Sequence, residues 1–240
     1  SYEQFRLVYS FIGLFLIYIA IKKIVPVSTR VWVLCLYLLF PFIEDVPQVR
    51  NFMAMSLLTY GTVILSQENK WSSIKYIILL LIATGFHSIS IVYLPLVLIK
   101  YIIDDKKRIK YFYITIIIFF IVVVFSPIIE IVIEKMVHLD FNIAKKILVY
   151  NSNRARYGFI LFWSIQIINI LLTKISFNLV SSSEYYIDKL NDNYNSYKYV
   201  RLIYYINIFM LLYFPLLKIQ ITFFRIVRNL FILNAMSYAI

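Results

Sequence analysis

The stretch YIILLLIATGFHSISIVYLPLVLI, Tyr76–Ile99, is long enough to cross a bilayer, and whether it does so decides the topology of the chain. About 20 apolar helical residues span a hydrocarbon core of ~30 Å. Before it, Gln67–Lys75 reads as a cytoplasmic segment. After it come Lys100, Lys106, Lys107, Arg108 and Lys110, the densest basic cluster in the sequence. Short loops rich in Lys and Arg stay on the cytoplasmic side, so a single crossing would put that cluster on the wrong face. The stretch is therefore expected to go in and come back as two short half-helices. Its centre supplies a break, Thr84-Gly85-Phe86-His87-Ser88, with Pro95 further along. Half-helices of ~10–12 residues reach ~15–18 Å, which places the tip within the membrane and open to the outer face. Irregular backbone at that depth is tolerated only where it lines a polar cavity, so His87 is expected at the bottom of one.

Outward from this stretch, the composition calls for lipid as solvent. Of 240 residues, 62% are apolar and 15% charged, against roughly 45–50% and 25% in a soluble domain. Further apolar runs lie at Phe5–Ile21, Val31–Ile43, Val49–Leu65, Tyr111–Ile129, Tyr157–Ile175, Val200–Leu217 and Ile219–Ile240. None alternates polar and apolar residues as a barrel strand would. The fold class is all-α: a polytopic integral membrane helical bundle with a broken, re-entrant-like helical hairpin around Gly85–Ser88, forming a single membrane domain over residues 1–240. Lys22–Arg30, with three positive charges and no acid, is placed inside; Glu44–Gln48, with no positive charge, is placed outside. Within an outer segment, 130–156, Ile133, Val137, Phe141, Ala144 and Leu148 form one face of an amphipathic helix, opposite Glu134, Lys135, His138 and Lys145. An inner polar loop is expected at 181–198. On this scheme Ser1 is outside with no preceding span, and the last run stops mid-hydrophobic at Ala239-Ile240. The chain is therefore expected to be a piece lacking spans at both ends.

The net charge of +12 would suggest nucleic acid on a soluble protein. Here most of it is topological, and no nucleic acid partner is expected. A single cysteine, Cys35, rules out an intramolecular disulfide, and with only His87 and His138 no zinc motif can be written. No cofactor or metal is expected, and nucleotide-binding and serine-hydrolase signatures are missing. Ionisable groups within spans cost roughly 2.5–3.5 kcal/mol each, which makes Arg6, Arg50, His87, Arg225 and Arg228 the candidates, with Glu44 and Asp45 at an outer mouth. Each has an ordinary reading. Arg50 or Arg6 could be an interfacial anchor, His87 could cap a freed carbonyl, and Arg225 and Arg228, on one helix face at i, i+3, could also be anchors. Yet Arg50, His87 and Arg225 fall on the same outward side. Guanidinium forks suit phosphate oxygens, so the matching ligand is a lipid-linked phosphate or pyrophosphate entering from the bilayer.

These residues also resemble a known family. Val46-Pro-Gln-Val-Arg50-Asn-Phe-Met-Ala54 is similar to the IRQ-x-x-A opening of one span in the EpsG family of exopolysaccharide polymerases. Leu81–Ser88 followed by Leu94-Pro95-Leu96 resembles its F-H-x-S-A…L-P element, and Phe223-Phe224-Arg225-Ile226 its late aromatic-Arg element. Asn51 stands where Gln is usual, and Ser-Ile-Ser follows His87 in place of x-Ser-Ala. The resemblance implies a Wzy-like polymerase that joins exopolysaccharide, capsule or O-antigen repeat units at the outer face of the bacterial cytoplasmic membrane. The donor would be an undecaprenyl-pyrophosphate-linked oligosaccharide. Arg50 and Arg225, with Arg228, would hold the leaving pyrophosphate, and His87 would be acceptor base or phosphate orienter, with Asp45 or Glu44 as the competing base. A chain-length regulator or a flippase are the candidate protein partners. The alternatives are a flippase or other transporter of lipid-linked sugars, and a scaffold subunit.

Overall fold

The computed structural model describes residues 2–45, 47–125, 131, 158–182, 193–219 and 223–240, and no strand occurs among them. Helix α1 (Tyr2–Ile24) leads through a 3-10 turn to α2 (Arg30–Leu39) and the short α3 (Pro41–Asp45). Next come α4 (Val49–Ser66), α5 (Ser72–Phe86), a 3-10 segment Ser88–Tyr93, α6 (Leu96–Ile102) and α7 (Lys106–Phe125). The rest comprises α8 (Gly158–Ser182), α9 (Asn193–Phe209), a 3-10 turn Met210–Tyr213, α10 (Phe214–Ile219), α11 (Phe224–Arg228) and α12 (Phe231–Tyr238). The segments Glu3–Ile24, Phe159–Ser182 and Asn195–Leu217 are long and apolar enough to cross a membrane. The outer segment 130–156 lies outside the described residues apart from Ile131. Of 181–198, residues 183–192 also lie outside them, while its two ends belong to α8 and α9.

Helix α4 is the axis. From Asn51 to Ser66 it is buried throughout, with Tyr60 alone half-buried. Its hydroxyls explain why it avoids lipid and how it tolerates burial: Ser56 and Thr62 donate to the Phe52 and Leu58 carbonyls of their own helix, each at 2.8 Å. α1 and α5 pack closest to it. A Cβ on Gly61 would stand 3.2 Å from the Tyr76 ring, so glycine there lets α4 and α5 approach. α7 and α8, by contrast, turn Ile117, Ile118, Leu161, Leu171 and Leu179 outward. Such an apolar exterior is stable only against hydrocarbon.

The two ends of Tyr76–Ile99 lie side by side. Lys100 Nζ donates to the Gln67 carbonyl at 2.8 Å, and the Ser73 and Tyr101 hydroxyls meet at 2.9 Å. The stretch therefore returns to the end it left, as a broken hairpin. The break falls within the expected segment 84–88: α5 runs through Phe86, and its 15 residues, ~22 Å of helix, exceed the expected arm only because it begins at Ser72, four residues before Tyr76. It ends at His87, whose backbone is extended (φ −146°, ψ 111°). On the return arm Pro95 has no N–H for the Ile91 carbonyl, and the Leu94 amide takes it at 3.0 Å, which holds the arm in 3-10 geometry. The freed carbonyls are met by tyrosines. Tyr76 donates to Tyr93 O at 2.9 Å, Tyr213 to Val92 O at 2.7 Å, and Tyr93 to Ile226 O at 2.7 Å.

The base of the hairpin is the basic end of the bundle. Lys198 pairs with Glu68, Arg201 donates to Ile103 O, and Ser196 donates to Ile24 O at 3.0 Å. These contacts gather the segments that follow α1, α4 and α6 with the start of α9. Thr29 Oγ1 on Ala239 O (2.6 Å) brings the far end of α12 there too.

Candidate functional site

At the opposite end the start of α4, the hairpin tip and α11 meet. Pro47 separates α3 from α4, His87 is the hairpin tip, and the short α11 begins at Phe224. They enclose a cavity of about 530 Å³ lined by Phe5, Pro47, Gln48, Val49, Arg50, Asn51, His87 and Arg225. That volume is in the range of small-ligand sites.

Gln48 caps α4: its amide donates to Asp45 O and its carbonyl accepts from Phe52 N, both at 2.9 Å. The first-turn amides of an α-helix have no intrahelical acceptor, and Val49, Arg50 and Asn51 of that turn all line the cavity. Such a helix start favours anions. Arg50 is exposed and Arg225 half-buried. Neither guanidinium has a carboxylate partner among the described residues. His87 is half-buried, and its Nδ1 is buried without a hydrogen-bond partner. Two guanidinium groups, a helix start and an imidazole thus converge on one hollow, a set of groups whose chemistry suits a multiply charged oxyanion.

Asp45 and Arg228 stand elsewhere. They form an ion pair at 3.3 Å with side-chain exposures of 1% and 4%, and neither lines this cavity. Tyr37 Oη donates to Asp45 Oδ2, and Arg228 Nη2 also donates to Gln48 Oε1, both at 3.3 Å. The pair therefore anchors Gln48 from behind. Arg228, expected at the pyrophosphate, and Asp45, expected as a competing base, are thus paired with each other behind the cavity wall. The Glu44 side chain lies outside the described residues. Arg6 pairs with Glu3 at 3.6 Å and lines a separate hollow.

Two contributors escaped the sequence. Gln48 lines the cavity, and Asn229 exchanges amide hydrogen bonds with Asn51 at 3.1 and 3.3 Å, tying the end of α11 to the start of α4. Pro47 before a helix could have drawn attention to Gln48. Nothing local marks Asn229, whose partner is 178 positions away. Among the described residues no three His, Cys, Asp or Glu side chains gather in a way that could hold a metal ion.

The fold and the site define an all-α membrane protein with a cationic cavity at the end opposite its basic cluster. The family model of the EpsG family matches residues 1–240, and the chain belongs to the EpsG family. No curated protein and no solved structure matches it. Family membership places the chain in polysaccharide biosynthesis, with an exopolysaccharide-polymerase type of function.

Proposed function

We propose that this protein polymerises lipid-linked oligosaccharide repeat units by glycosyl transfer from an undecaprenyl-pyrophosphate carrier at the outer face of the bacterial cytoplasmic membrane. The observation that carries this reading is the convergence of Arg50, His87 and Arg225, from three distant parts of the chain, on one cavity. In the reaction a hydroxyl of the acceptor sugar attacks the anomeric carbon of the donor. The bond from that carbon to the pyrophosphate oxygen breaks, and the electron pair leaves with the lipid pyrophosphate. Charge grows on that leaving group in the transition state, where Arg50, Arg225 and the first turn of α4 stabilise it. His87 takes the proton of the acceptor hydroxyl. Asp45 and Arg228, engaged with each other, act as positioning residues by holding Gln48 and the start of α4.

The test is a membrane assay with purified lipid-linked repeat units. Arg50→Ala is expected to lower polymer formation by at least about 100-fold, the scale of one lost charge-stabilising group, while the protein accumulates normally. Full polymer formation by this variant would overturn the assignment. Cells carrying it should still display single repeat units on their surface; loss of those units would favour transport over polymerisation.

A further inference from the structure

A second hollow, of about 220 Å³, lies against the first. Val49 walls both, and on α1 Phe5 lines the first while its neighbour Arg6 lines the second. Arg6, Ser10 and Leu14 succeed one another at i, i+4 and i+8 along one face of α1, a path of ~12 Å leading away from the cavity end. The polarity falls along that path from guanidinium to hydroxyl to alkyl. Facing them are Phe42 and Asp45 of α3 and Phe52 of α4, the Asp45 carboxylate being held by Arg228 and Tyr37. Leu14 is 44% exposed and is flanked by the outward-facing Leu7, Phe11 and Phe15, so the far end opens on the apolar exterior. Gly13 is required beside it, because a Cβ there would come within 2.4 Å of the Phe52 ring.

We propose that this slot takes the first isoprene units of the carrier lipid, next to its pyrophosphate. The inference rests on the polymerase reading and supplies the route by which the substrate's tail leaves the site. A lipid pyrophosphate is a compact anion joined to a hydrocarbon chain. The two hollows repeat that order, with the cationic cavity first, Arg6 at the junction, aromatic and aliphatic walls next, and bulk lipid beyond. Because Val49 walls both hollows, a lipid with its headgroup in the first needs only to pass that side chain to reach the second, and burial of apolar chain against Phe42, Phe52 and Leu14 adds affinity that the headgroup alone cannot supply.

The experiment uses the full chain in native membranes and undecaprenyl pyrophosphate with a photoreactive diazirine in its first isoprene unit. Cross-links are expected on the peptides carrying Ser10–Leu14 or Phe42–Phe52, and unlabelled undecaprenyl pyrophosphate should compete them away. Ser10→Trp, which fills the slot, should reduce them at least ten-fold and raise the KM for the lipid-linked donor while kcat changes little. Equal labelling of those peptides by a diazirine phospholipid, insensitive to the competitor, would show a general lipid crevice and overturn the proposal. So would an unchanged cross-link and KM in Ser10→Trp. If polymer forms but no cross-link reaches the slot, the slot fails and the polymerase reading stands. If the competed cross-link is found but wild-type membranes make no polymer, the tail site stands and the polymerase reading fails.

Discussion

Buried beside the cavity, the Asp45–Arg228 pair can be separated experimentally from the residues that line it. Asp45→Asn leaves a nearly inaccessible guanidinium without its carboxylate, and breaking a buried pair from one side costs about 3–5 kcal/mol. The variant is expected to accumulate poorly and to unfold at lower temperature than wild type. Replacing both partners, Asp45→Leu with Arg228→Met, should restore thermal stability, because no uncompensated charge remains. Arg50→Ala, at an exposed side chain, should leave the unfolding temperature near wild type. His87 gives a second contrast. As a general base it is worth about 10²- to 10⁴-fold in rate, so His87→Ala should slow polymerisation by that order. His87→Gln should not rescue it, since an amide cannot take a proton. Recovery to within a few-fold of wild type by Gln would assign His87 to phosphate orientation.

At the scale of elements, what distinguishes this bundle is interruption. Pro47, Pro95 and Pro215 each stand beside a break, and in the last two a 3-10 segment precedes the proline because the carbonyl four residues back loses its helical donor. The Leu94 and Phe214 amides take those two carbonyls, and tyrosine hydroxyls do for Val92 O, Tyr93 O and Ile226 O what water would do outside a membrane. The hairpin makes an accessibility prediction. In a Cys35→Ser background, a cysteine at His87 should react with an impermeant thiol reagent in intact cells, and one at Asp105 only after permeabilisation. External labelling at both positions would mean that Tyr76–Ile99 crosses once. Pro95→Ala lets the return arm continue as α-helix, which rotates the tip. Polymerisation should fall while protein level holds.

For the molecule as a whole, two ends with opposite tasks follow from the charge distribution. Basic residues at one end pair with acids and carbonyls of neighbouring segments, whereas the cavity arginines at the other have no carboxylate partner among the described residues, and on the proposed reading they meet the pyrophosphate. Undecaprenyl pyrophosphate should therefore stabilise the folded protein against heat, by about 2.7 kcal/mol at a hundred times its Kd. Arg50→Ala combined with Arg225→Ala should abolish that shift without changing the ligand-free unfolding temperature much. The helical membrane class, the returning hairpin and the gathering of Arg50, His87 and Arg225 at one end were legible in the sequence. Lipid acts on each segment separately, so hydropathy and loop charge carry that information locally. The partners were not legible. Arg225 and Arg228, three residues apart, differ by about 60° around a helix, and on a helix as short as α11 that angle sends one to the cavity and the other to Asp45. Which goes where is decided by a carboxylate 183 positions away and by the Asn51–Asn229 amide pair. Such pairings exist only once distant helices pack, because a buried charge takes whatever counter-charge the assembled core brings within reach.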